Sequence, residues 1–134
     1  MSSFHLKIVT PDGLIYDGSA EQLIVRTTGG DVGILARHMN YVAPLGMGRA
    51  VVVSDGQRRV AACIGGMLSV VNGEVTLVPT TFEWADQIDL DRAQRAHEKA
   101  EKILQDQNAS STDIRLAEAK LHRALIRKNV ASYK

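Results

Sequence analysis

Four charged residues carry the spacing most suggestive of binding chemistry. Asp89 and Arg92 lie in the stretch IDLDRA, Ile88 to Ala93, and Arg123 and Arg127 lie near the C-terminus. Arginines four apart share one face of a helix. Paired guanidinium groups can grip phosphate oxygens or carboxylates through parallel hydrogen bonds. A carboxylate such as Asp89 can accept from an adenine amino group while guanidinium groups take the phosphates. Such a nucleotide site needs no phosphate loop, and it exists only while the two segments are folded against each other. A plainer reading competes. Asp89 is a good N-cap, Asp91 suits the first turn of a helix, and Asp89 with Arg92 would form a surface ion pair worth under about 1 kcal/mol.

Other candidates for chemistry are weaker. Gly29-Gly30 and Gly65-Gly66 lack the Gly-x-x-x-x-Gly-Lys-Ser/Thr spacing of a phosphate loop and read as turns or bulges. His5, His38, His97 and His122 show no metal-ligand spacing, so no metal site is expected. Cys63 sits in an apolar run, where a core role fits better than a nucleophile. A single cysteine allows no internal disulfide and suits a reducing compartment. No catalytic residue is expected.

The elements that must position these residues fall into two groups. The first part of the chain reads as strands. FHLKIVT alternates apolar Phe4, Leu6 and Ile8 with His5 and Lys7 and stops at Pro-Asp-Gly. EQLIVRT follows, and Asp55-Gly56 and Asn72-Gly73 each separate two strand-like runs in the manner of a hairpin. Eleven glycines are concentrated in this half. There is no room for helical crossovers, so the expectation is a β-sandwich or barrel. From Asp89 to about Gln107 there is no Gly or Pro, and Leu90, Ala93, Ala96, Ala100, Ile103 and Leu104 form one helical stripe. After NASST, with Ser111 or Thr112 as the cap, Ile114, Ala117, Leu121, Ala124 and Leu125 form a second stripe. The fold class expected is mainly β plus α: an N-terminal β-sandwich over residues 1–86, then a C-terminal antiparallel two-helix hairpin over 87–134. Alanine on both stripes buries little area, so the hairpin should be the weaker and more mobile unit.

Charge sharpens the division. The chain of 134 residues has a formal net charge of +1, which argues against a nucleic-acid binder. The last 23 residues, from Thr112, hold six basic and two acidic side chains. That segment is either a solvated face or a docking surface for an acidic partner. The opening MSSFHLKIVT has no basic region followed by an apolar block, so no secretory signal is expected. The longest uncharged apolar run, around Val60–Val71, falls short of the roughly 20 residues a membrane helix needs.

Several segments together resemble one family over essentially the whole length. VTPDGLIYDG, GGDVGILARHMNYVAPLGMG, IGGMLSVVNGEVTLV and DIRLAEAKLHRALIRKNVA occur in the order found in the epsilon subunit of bacterial F-type ATP synthase. The resemblance implies a sandwich followed by a helical hairpin, in a non-catalytic subunit of the central rotor. It implies docking to the gamma subunit and the ring of c subunits, and contact with the alpha and beta subunits when the hairpin extends to restrain ATP hydrolysis. It implies a peripheral position on the cytoplasmic face of the bacterial membrane, held through the complex. In some members the folded hairpin binds ATP through an I/L-D-x-x-R-A motif, matched here by Ile88, Asp89, Arg92 and Ala93. The family's upstream acidic residue matches Glu83, and its second-helix arginines match Arg123 and Arg127. ATP is thus implied as a regulatory ligand, with no obligatory cofactor and with Mg²⁺ dependence open.

On the charge pattern, Arg115, His122, Arg123, Arg127 and Lys128 are expected to hold the extended hairpin against an acidic region of the beta subunit. The alternative is a free-standing ATP-binding sensor module. Two departures from the family stand out. Ala36-Arg37-His38-Met39-Asn40 replaces the family's Pro-Gly-His-x-Pro, and Trp84 sits beside Glu83, where it could alter the edge of a nucleotide site.

Overall fold

The computed structural model describes residues 2–133 and divides into two compact units at Trp84/Ala85. The first unit is built from strands β1 (Phe4–Thr10), β2 (Gly13–Ala20), β3 (Gln22–Thr27), β4 (Gly30–Leu35), β5 (Tyr41–Pro44), β6 (Met47–Ser54), β7 (Gln57–Val71) and β8 (Glu74–Trp84). They form one hydrogen-bonded sheet in the order β2-β1-β8-β7-β6-β3-β4, with β5 on β7. All the pairings are antiparallel except β1 with β8.

Hairpin chemistry sets the local turns. Thr10 and Thr27 are buried polar residues, and each closes a two-residue turn. The Thr27 hydroxyl donates to Gly30 O at 2.8 Å and accepts from Gly29 N–H at 3.1 Å. Thr10 makes the same pair of bonds with Gly13 O and Asp12 N–H. The other two tight turns use Asp55-Gly56 (φ 52 and 74) and Asn72-Gly73 (φ 50 and 81). Two successive positive φ values match the twist of the flanking strands.

One sheet becomes a sandwich because β7 and β8 turn over along their length. The core-facing residues of β7 are Ala61 and Cys63 in its first half but Leu68 and Val70 in its second. In β8 they change from Val75 and Leu77 to Phe82 and Trp84. The pairing register is constant throughout. The inward face of the ribbon therefore switches, and the switch falls at Gly65 and Gly66, with φ of 69 and 102. β6 continues on the first half of β7 and β5 on the second, so the two halves belong to opposite layers. The core is aliphatic, with Leu6, Ile8, Leu23, Val25, Ile34, Leu68 and Leu77 fully buried. Cys63 is core filler as expected, and burial pushes its thiol up to about 12, which leaves it inert as a nucleophile.

The second unit opens with a 3-10 turn, Ala85–Gln87, followed by α1 (Leu90–Gln105) and α2 (Ser111–Ala131). The caps correct the sequence reading at three points. α1 ends at Gln105 rather than near Gln107. Ser110, not Ser111 or Thr112, caps α2, because its hydroxyl accepts from Asp113 N–H at 3.0 Å and the Asp113 carboxylate accepts from Ser110 N–H. The seam is also narrower than the predicted stripes. Ala93, Ala100, Ala117 and Ala124 are buried at it, spaced by seven on each helix. Leu90, Ala96 and Leu125, assigned to the stripes, are exposed. Seven residues make two turns, so alanine at that step forms a straight line of small side chains along which the helices approach closely. Leu90, Leu116 and Leu125 beside the line stay exposed, while Ile103, Leu104, Ile114 and Leu121 are half-buried and Val130 is buried.

Candidate functional site

Asp89 takes an extended backbone conformation (φ −81, ψ 98) and caps α1, its Oδ1 accepting from Arg92 N–H at 3.0 Å. The expected ion pair between the Asp89 and Arg92 side chains does not form. The backbone donor captures the carboxylate because the helix start leaves that N–H without an internal partner. Arg92 is exposed, whereas Ile88 and Ala93 are buried, at 4% and 2% exposure.

The antiparallel hairpin brings the C-terminal part of α2 alongside the N-terminal part of α1. The Lys128 ammonium donates to His97 Nδ1 at 3.0 Å across the two helices, and the 3-10 turn also packs on α2. Half-buried Arg123 and Arg127 therefore lie at the same end of the hairpin as Asp89 and Arg92. Arg115 does not share that end: it is twelve residues before Arg127, about 18 Å along the axis. Arg115 and His122 are exposed, and Lys128 is half-buried. Glu83 is half-buried on β8, in the first unit, on the face opposite Phe82 and Trp84.

Trp84, the bulky aromatic beside Glu83, points into the sandwich core. It is 5% exposed in the sandwich core, packs edge-on against Phe82 at 4.9 Å, and carries the Arg59 guanidinium 3.7 Å from its ring centroid. The segment replacing the family's Pro-Gly-His-x-Pro holds its shape by other means. Arg37 occupies left-handed backbone at φ 66, where the family has glycine. Asn40 Oδ1 accepts from Asn72 N–H at 2.8 Å, and His38 Nδ1–H donates to Met39 O at 2.8 Å.

Three features of the first unit were not read from the sequence as functional. The outer face of β2-β1-β8-β7-β5 carries an apolar row. Paired residues share a face, and the row runs Leu14, Val9, Val78, Met67, Pro44. Val9 and Val78 each follow a member of the Ile8↔Leu77 pair that ends the parallel ladder. Leu14 is 59% exposed, Met67 44% and Val78 45%, and Val42 on the same face is 62% exposed. At the other end of this face His5 bridges two carboxylates, Nε2 to Asp17 Oδ1 and Nδ1 to Glu74 Oε2, each at 2.5 Å. These residues flank an open groove whose walls include Phe4, Arg37 and Asn72.

The Asp17 and Glu74 carboxylates raise the His5 pKa, Asp17 contributing most. A raised histidine stabilises the fold fully below its unfolded pKa, and that contribution disappears as pH rises through the folded value. Urea unfolding of the intact chain should therefore show a midpoint that falls as pH rises above about 6.5, the ordinary histidine value, and His5→Ala should remove that component. Equal pH profiles for the two proteins would count against the clamp.

Among the described residues there is no cluster that could hold a metal ion. Among the described residues no helix is long and apolar enough to cross a membrane.

A sheet that folds over itself into a sandwich, followed by a short helical hairpin, defines the class. Family models agree with it part by part: the beta-sandwich domain of the ATP synthase delta/epsilon chain matches residues 3–85, and the long alpha-helix domain of the same chain matches residues 86–132. The chain is 42% identical over 135 residues to the ATP synthase epsilon chain of Ruminococcus albus, covering all of both. It is 43% identical over 131 residues to that of Bacillus velezensis, covering 98% of each. The chain belongs to the ATP synthase epsilon chain family. Its fold is also that of a chain in the cryo-EM structure of the Euglena gracilis mitochondrial ATP synthase, at a TM-score of 0.84 and 21% identity, covering 100% of this chain and 83% of that one. A chain of the Tetrahymena thermophila mitochondrial enzyme's central stalk and c-ring matches at a TM-score of 0.66 and 9% identity, covering 95% of each.

Proposed function

We propose that this epsilon chain is a non-catalytic rotor subunit on the cytoplasmic face of the bacterial membrane. Its sandwich docks the gamma subunit and the c-ring, and its hairpin regulates ATP hydrolysis by the alpha and beta subunits. The observation that carries the reading is the exposed row Leu14, Val9, Val78, Met67, Pro44 across five strands. A contiguous apolar surface exposed to solvent calls for a protein partner, and both matched structures are of assemblies that include the c-ring.

Met67→Asp combined with Val78→Asp places two charges in the middle of that row, at positions already solvated. The sandwich should keep its fold by circular dichroism, while retention of gamma on tagged epsilon should fall at least about 100-fold. Undiminished retention of gamma would remove the row from the docking surface.

The regulatory part rests on Asp89, Arg92, Arg123 and Arg127 lying at one end of the hairpin. ATP is the ligand these groups suit, with Ile88 and Ala93 completing the hairpin's part of the family's set. Calorimetric titration of ATP into the purified chain should give a binding isotherm that Arg92→Ala weakens. No heat from the intact chain would reduce Asp89 to a helix cap. An isotherm without retention of gamma would favour the free-standing sensor.

A further inference from the structure

The α1–α2 seam holds a histidine between two charged groups of opposite sign. His97 is 17% exposed, with Nε2 2.5 Å from Glu101 Oε1 one turn further along α1 and Nδ1 3.0 Å from Lys128 Nζ on α2. An ammonium group can only donate, so Nδ1 must be the acceptor. A neutral imidazole then carries its proton on Nε2 and donates it to Glu101. Only this neutral tautomer makes both bonds at once. A second proton would go to Nδ1. It would remove the acceptor that Lys128 uses and set two positive charges 3.0 Å apart. Glu101, 50% exposed, favours the imidazolium, but its bond lies within α1 and does not join the helices. The nearby acid Glu98 accepts from Gln94 at 3.1 Å. The other basic residues on that stretch of α2 are Arg123 and Arg127.

We propose that His97 is an acid-sensitive latch of the helical hairpin: as neutral imidazole it ties Lys128 of α2 to α1, and protonation releases that tie and loosens the seam. The seam gives the latch leverage. Its fully buried residues on α1 are Ala93 and Ala100, which contribute little apolar area beside half-buried Ile103 and Leu104, so loss of a polar tie is felt at the seam. The latch concerns how α2 is held on α1 and stands whatever ligand the hairpin takes.

The test is amide hydrogen exchange on the full chain in nucleotide-free buffer, reported as protection factors so that intrinsic exchange chemistry is removed. Between pH 8 and pH 5.5, protection of Ala93–Ala100 and Ala117–Ala124 should fall roughly three- to tenfold. His97→Gln supplies a carbonyl for Lys128 and an amide for Glu101 but takes no proton, so its protection should stay level across the range. Lys128→Met should begin low at pH 8 and change little on acidification. Wild-type protection that does not fall, or a fall in His97→Gln equal to that of the wild type, would overturn the latch.

Discussion

Gly66→Ala is expected to destabilise the sandwich by more than about 4 kcal/mol. A typical domain has only about 5–15 kcal/mol in total, so much of the population should be unfolded. Two costs coincide at this position. The backbone holds φ +102, which L side chains rarely adopt, and a Cβ there would lie 2.0 Å from Val78 O and 2.6 Å from Pro79 Cα. Both are backbone atoms of β8, so relief requires β7 and β8 to separate where the ribbon turns from one layer to the other. Gly73→Ala is the control. Its φ of +81 is also positive but nothing lies within 4 Å, so it should cost only about 1–2 kcal/mol. Urea unfolding followed by the fluorescence of Trp84, the one tryptophan and buried in this core, measures both. Equal losses for the two variants would mean that the corner does not depend on close approach at Gly66.

The second large effect concerns the nucleotide reading. Combined Arg123→Ala and Arg127→Ala should weaken ATP binding at least about 100-fold, because each removed guanidinium takes with it a charge-assisted bond worth about 1.5–3 kcal/mol. The same variant should relieve restraint of ATP hydrolysis in the reconstituted enzyme, since these arginines are proposed to serve the extended hairpin as well. Normal binding together with normal restraint would defeat the shared role. Asp89 needs a gentler change, because its Oδ1 caps α1 and alanine would cost about 1 kcal/mol of helix stability. Asp89→Ser keeps a capping oxygen and removes the carboxylate. Lost ATP binding without lost helix stability in that variant separates the ligand role from the cap.

The N-terminal strands and the turns between them were legible because each depends on its own residues. Alternation in FHLKIVT placed Phe4, Leu6 and Ile8 inside, and Asp-Gly and Asn-Gly marked two hairpins. The legibility failed where neighbours decide. Plain alternation runs straight through Gly65-Gly66, yet the inward face changes there, because the ribbon crosses between layers. Helical periodicity put Leu90, Ala96 and Leu125 on the seam, but the helices pack closely along an alanine line and leave these three exposed. Asp89 and Arg92 looked like an ion pair, but an orphan backbone N–H at the helix start was the nearer donor.

The sequence by itself determined the two units, the capping role of Asp89, the shared helix face of Arg123 and Arg127, and the buried thiol of Cys63. Each follows from chemistry within a few residues: side-chain period, turn propensity, an orphan donor at a helix end. Only the tertiary structure decided that β1 lies parallel to β8, that His5 stands between Asp17 and Glu74, and that Lys128 reaches His97. His5 and Glu74 are 69 positions apart, and His97 and Lys128 are 31 apart. Contacts at that separation are set by the register in which whole strands and helices pack, which local composition does not encode.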